Sequence, residues 1–173
     1  MIRLFFKENV LPAEEHEVGR ALLEKALGRS PAVKIRPGGK PYLERDPVYF
    51  NLSHSGGTVG LAIARQEIGF DLEPLYRKIR RAGFLTVSDA LTDPLLGWVL
   101  KESAVKLTGA GLAFLRGSRI LPKQAEYWTV LVNGVPCIVQ DFTACGCIGA
   151  VATFRFEEYR IERGDQDDTG QQG

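Results

Sequence analysis

Cysteine and histidine are scarce in this chain: three and two among 173 residues. Three cysteines, a low and odd number, argue against a disulfide framework. Two histidines cannot build a three-histidine zinc centre within one chain. No apolar run reaches about 18 residues, so no segment reads as a membrane span. The apolar stretch at residues 2–6 is too short for a signal peptide. A charge excess is also missing: 22 Lys and Arg face 21 Asp and Glu, for a net charge of +1. That balance argues against dedicated nucleic-acid binding. What is present is an average composition, 45% hydrophobic and 25% charged. The length suits one domain, or two small halves sharing a core.

The charge is unevenly spread. Residues 1–73 are neutral, residues 74–123 carry +6, residues 124–156 carry −1 and residues 157–173 carry −4. The basic middle reads either as a solvated face or as a docking surface for an acidic partner.

Residues 2–6 read as a short buried strand. A helix is expected over 13–27: Pro12 suits its first turn, Glu14, Glu15 and Glu17 suit its positive end, and Gly28 supplies the stop. Residues 34–47 are rich in Gly and Pro and read as loop. Residues 48–53, 59–64 and 68–72 read as three strands of one antiparallel meander. Residues 76–92 are expected to be helical, without a clean pattern. Asp93-Pro94 is a strong helix start for residues 95–107, and Gly109 and Gly111 end it. Residues 128–132 and 135–142 form a hairpin about Asn133-Gly134. A last strand spans 147–156, and the polar residues beyond, certainly 164–173, read as disordered.

One stretch repeats weakly. Gly57-Thr58-Val59-Gly60 is echoed by Gly146-Cys147-Ile148-Gly149, 89 residues later. The echo suggests two related halves, 1–75 and 76–163, each a helix with a small antiparallel sheet.

Polar residues interrupt the core pattern in three places. Asn51, Ser53, His54 and Ser55 stand at the end of one strand. Asp71 and Glu73 stand two apart on another, on one face. Two carboxylates there repel unless a cation lies between them, and a hard divalent ion is the natural occupant. A solvated strand end or a pair of Arg partners would explain the same spacing. On the following helix, Trp98, Glu102 and Lys106 recur every four residues and share a face, with Lys101 one step around. An ordinary surface Glu–Lys pair is the plain alternative. Gly38-Gly39-Lys40-Pro41 is a turn that could offer a lysine to phosphate, but lacks P-loop spacing.

In this order, these clusters resemble the 4′-phosphopantetheinyl transferase superfamily. The matching pieces are Arg20 to Leu23, Gly39-Lys40-Pro41, Phe50 to Ser55, Ile68 to Glu73, and Trp98 to Lys106 followed by Gly109. The resemblance implies an α+β, pseudo-duplicated fold of the two-half, surfactin-synthetase-activating type. It implies transfer of the phosphopantetheine arm of coenzyme A to a serine of an apo acyl or peptidyl carrier protein, releasing 3′,5′-ADP. Asp71, Glu73 and Glu102 would then hold Mg²⁺, or Mn²⁺. His54 and Lys106 would contact pyrophosphate oxygens, joined by Lys101. Arg20, Lys40 and Ser53 would bind the 3′-phosphate and adenosine end. Glu102 is the expected base for the carrier serine, with Lys106 second. A cytoplasmic monomer is expected, with no nucleic-acid or membrane partner. The rival readings are a non-catalytic module holding coenzyme A or a carrier protein, and a metal-dependent nucleotide hydrolase.

Overall fold

A computed structural model describes residues 1–79 and 83–162. The chain opens with β1 (Ile2–Lys7) and α1 (Glu15–Leu27), followed by β2 (Val33–Ile35) and β3 (Pro41–Leu43). Next come β4 (Tyr49–Ser55), β5 (Thr58–Ala64), β6 (Ile68–Pro74) and α2 (Pro94–Thr108). The second half continues with β7 (Arg119–Ile120), β8 (Trp128–Val132), β9 (Val135–Ala144), β10 (Cys147–Thr153) and β11 (Tyr159–Ile161). One sheet runs β11-β1-β5-β4, a second runs β6-β10-β9-β8-β7, and β2-β3 form a separate ribbon. This is the expected α+β class, with two α-helices among the described residues and largely antiparallel sheets.

Both helix ends follow their local chemistry. Asp93 caps α2, its carboxylate accepting from the backbone N–H of Leu95 and Leu96, with Pro94 in the first helical position. Gly28 and Gly109 end α1 and α2 at φ 68° and 69°, a left-handed conformation that glycine adopts without strain. Asn133 and Gly134 take φ 51° and 78°, as the tight hairpin turn between β8 and β9 requires.

The meander is not formed. β4 and β5 pair antiparallel, but β6 leaves them and pairs with β10, from Ile68↔Thr153 to Glu73↔Ile148. Its side chains explain the departure. Phe70 and Leu72 of β6 fill the space over Gly60 of β5, where a Cβ would sit 2.5–2.8 Å from them. The strand therefore stacks on the first sheet instead of extending it. Phe70 also stacks on Phe142 with centroids 6.0 Å apart, in a cluster with Ile2, Leu4, Ala62 and Val151 between the two sheets.

The echo is real in three dimensions. The β4–β5 register ends at Ser55↔Thr58 and the β9–β10 register at Ala144↔Cys147, which keeps the offset of 89. Each hairpin is followed by a strand that crosses over: β6 joins the second sheet, and β11 returns to lie parallel to β1, Ile2↔Tyr159.

Three further expectations are corrected. Within the loop-rich stretch, residues 33–43 form the β2–β3 ribbon. The last strand stops at Thr153, and β11 lies where the polar tail was expected to begin; residues 164–173 fall outside the described residues. No described residue of 76–92 is helical. Tertiary anchors hold this linker instead: Lys101 Nζ donates to the Phe84 carbonyl, Ala90 N–H donates to the Ile120 carbonyl, and Leu85 packs against Gly97.

Candidate active site

The site begins with a close approach of two backbones. A Cβ on Gly69 would lie 2.0 Å from the Ser103 carbonyl and 2.4 Å from the Leu107 nitrogen. Only a glycine lets α2 rest this tightly on β6. The contact brings Glu102 and Lys106 of α2 over Asp71 and Glu73 of β6. One ligand atom from each of Asp71, Glu73 and Glu102 then lies within 4.8 Å of the others.

The seam between β6 and β4 is polar. As the edge of the second sheet, β6 has outward N–H groups that no neighbouring strand takes. Asn51 Oδ1 accepts from Phe70 N–H at 2.9 Å, and Ser53 Oγ accepts from Leu72 N–H at 3.4 Å. The same Ser53 hydroxyl donates to Asp71 Oδ1 at 2.9 Å, and Ser55 donates to Glu73 Oε2 at 2.5 Å. Lys106 Nζ lies 2.7 Å from Asp71 Oδ1 and 3.5 Å from Glu102 Oε1, and Arg77 pairs with Glu73.

Two cations thus face three largely buried carboxylates. Burial pushes the Glu102 carboxyl up to about 7, helped by Asp71 and Glu73 and opposed by Lys106. Burial also raises Asp71, against the pull of Lys106 and Ser53. Asp71 is 2% exposed, and its Oδ2 has no hydrogen-bond partner among the described residues. An orphaned buried oxygen in an all-oxygen donor set fits a hard divalent ion.

A cleft of about 290 Å³ opens from Glu102 and Lys106 toward Gly38, Gly39, Lys40 and Pro41. A second cavity of about 480 Å³ lies between α1 and β4, with His16, Arg20, Phe50 and His54 on its walls. Gly39, Pro41 and Leu52 line both.

No family model matches the chain. Curated proteins do. The 4′-phosphopantetheinyl transferase AcpT of an Escherichia coli strain is 40% identical over 108 residues, 53% of this chain and 55% of its own length. The 4′-phosphopantetheinyl transferase psf-1 of Bacillus pumilus is 30% identical over 122 residues, 61% of this chain and 52% of its own. The AcpT of Salmonella typhi is 42% identical over 57 residues, about a third of each chain. Over these stretches the chain is similar to 4′-phosphopantetheinyl transferases. It spans about half the length, or less, of these curated relatives.

The residues that carried the transferase resemblance fall into three places. Asp71, Glu73, Glu102 and Lys106 meet in one cluster, with Ser53 beneath it as a partner of Asp71. Arg20 and His54 stand apart, on the second cavity. Both are exposed, Arg20 within 3.7 Å of Glu24 and His54 Nδ1 within 2.7 Å of Glu15. Lys40 lies between, its ammonium held by Glu67 at 2.9 Å and the Leu107 carbonyl at 3.2 Å. It fastens the Gly-Lys-Pro loop to α2, and burial lowers its pKa.

Lys101 requires a correction, because it does not face the carboxylate cluster. Its side chain is fully buried, and Nζ donates to the carbonyls of Phe84 and Ser118 and to Asp89 Oδ2, at 2.7–2.9 Å. An ammonium with three inward partners has no donor left for a phosphate.

Three residues beside these sites had been given no role from sequence. Ser55 had a signal: Ser53 and Ser55 repeat the two-residue spacing of Asp71 and Glu73, and pair with them in that order. His16 had none beyond its place on the α1 face with Arg20. Arg77 had none, since its contact with Glu73 depends on the turn after β6.

Proposed function

We propose that this protein transfers the 4′-phosphopantetheine arm of coenzyme A to a serine of an acyl or peptidyl carrier protein, releasing 3′,5′-ADP. The observation that carries the reading is the buried carboxylate triad with its unpartnered Asp71 Oδ2 beside Lys106. Asp71, Glu73 and Glu102 would hold Mg²⁺ or Mn²⁺. Such an ion, when bound, neutralises charge gathering on a pyrophosphate leaving group.

The chain's own residues take the other roles. Lys106 supplies a positive charge to the pyrophosphate oxygens from the floor of the cleft. Glu102 accepts the proton of the attacking serine hydroxyl. Arg20 faces the second cavity and offers positive charge to the 3′-phosphate end of coenzyme A, and His54, on the same cavity, offers a ring nitrogen to the pyrophosphate. Gly39 and Pro41 line both cavities, on the loop that Lys40 fastens to α2. The basic excess of residues 74–123 suits an acidic carrier surface. Both sides of the cluster come from one chain, so a monomer suffices, acting in the cytoplasm where coenzyme A and apo carriers meet.

The test is direct. The protein is incubated with coenzyme A, Mg²⁺ and apo carrier protein, and the carrier is weighed by mass spectrometry. The expected result is the phosphopantetheine mass gain, reduced at least about a hundredfold by Asp71→Ala. Coenzyme A bound without transfer to several carriers would replace this reading with that of a binding module. Release of 3′,5′-ADP without any carrier would replace it with that of a hydrolase.

A further inference from the structure

The three carboxylates are not equally ready for an ion. Asp71 leaves Oδ2 without a partner, and Glu102 has Lys106 no nearer than 3.5 Å. Glu73 is already satisfied on both oxygens. Oε2 accepts from Ser55 at 2.5 Å, and Oε1 is paired with the Arg77 guanidinium. That guanidinium also lies over the indole of Trp98, 5.7 Å from the ring centroid. Trp98 stands one turn before Glu102 on α2. Arg77 therefore touches both elements that build the cluster. Its side chain is 42% exposed while Glu73 is 6% exposed, so the arginine can swing outward without opening the core.

A guanidinium and a divalent ion are alternatives at one carboxylate oxygen. We infer that Arg77 is the built-in counter-cation of Glu73, exchanged there for the ion. The inference rests on the reading of the triad as an ion site, and goes beyond it. Ion uptake and release of the Arg77 side chain from Glu73 are then a single event. Two contacts hold the Arg77 guanidinium, the Glu73 carboxylate and the Trp98 face, and the ion competes with the first. The far end of the linker does not follow, because Lys101 fixes it at Phe84 and Asp89.

The experiment is a Mn²⁺ titration of the full chain, with free Mn²⁺ followed by electron paramagnetic resonance. The native sequence binds, and Arg77→Gln and Arg77→Ala each bind at least about threefold more tightly. Lys78→Ala removes an equal charge one residue away and changes affinity by less than the Arg77 variants. A second readout follows the indole. With Trp128→Phe, Trp98 is the sole tryptophan; its emission changes on adding Mg²⁺, and Arg77→Gln abolishes the change. Circular dichroism checks that each variant is folded. Unchanged or weaker Mn²⁺ binding in both Arg77 variants overturns the inference and leaves the ion site standing. So does an equal gain from Lys78→Ala, or Trp98 emission indifferent to Mg²⁺. Failure of the native sequence to bind Mn²⁺ overturns both readings.

Discussion

Glu102 concentrates the electrostatic problem of this site in one side chain. Its carboxyl sits at about 7 in the folded protein against an ordinary 4.5, chiefly through burial. Between those values the folded chain keeps a proton that the unfolded chain has released. The stability this group contributes is therefore complete below about pH 4.5 and is lost as pH rises through about 7. A divalent ion must displace that proton to bind. Mg²⁺ is thus expected to raise the melting temperature more at pH 8 than at pH 6, and paired thermal melts check it. Equal shifts at both values would contradict the assignment. At this scale much of the cluster was readable in advance. Asp71 and Glu73 declare themselves by two-residue spacing, Glu102 and Lys106 by four. Lys101 was misread because one step around a helix turns a side chain by about 100°. That turn takes it from the cleft into the core, and nothing local says which side is which.

Helix α2 works on two faces at once. One presents Glu102 and Lys106 to β6; the other grips the linker through Lys101. Asp89 accepts from Lys101 while its carboxylate also accepts from the Ile120 and Thr86 N–H groups. Lys101→Met would leave that buried carboxylate without its charge partner, at a cost of about 3–5 kcal/mol. Urea denaturation measures the loss, and adding Asp89→Leu should recover part of it. The clamp also explains why residues 76–92 are not helical. Their sequence has no apolar period, so anchors 12 to 17 residues away along the chain decide their path. β11 escaped notice for a related reason. Its backbone pairs with β1, and that pairing asks for no particular side-chain pattern.

At the scale of the whole molecule, the cluster exists only because the halves interlock. β6 comes from the first half and lies in the second sheet, directly under α2. Gly69→Ala would place a methyl group 2.0 Å from the Ser103 carbonyl and lift α2 from β6. We expect a loss of about 3 kcal/mol or more, read from urea melts, together with loss of Mn²⁺ binding. The 89-residue echo was readable in the sequence and is matched by the two hairpin registers. The exchange of closing strands was not, because pairing partners so distant leave no mark on either segment alone.

The return of β11 to β1 has a consequence for how the chain reaches this shape. Ile2 and Tyr159 lie 157 positions apart along the chain, yet they are neighbours in one sheet. During synthesis the outer edge of β1 stays open until nearly all the described chain has emerged. The interior of the second sheet must likewise wait for β10 before β6 has a partner. Local contacts can form the hairpins and helices early, but the joins between them close the longest loops in the molecule. Folding should therefore be slow for a chain of this size, with half-made molecules exposing unpaired strand edges to one another.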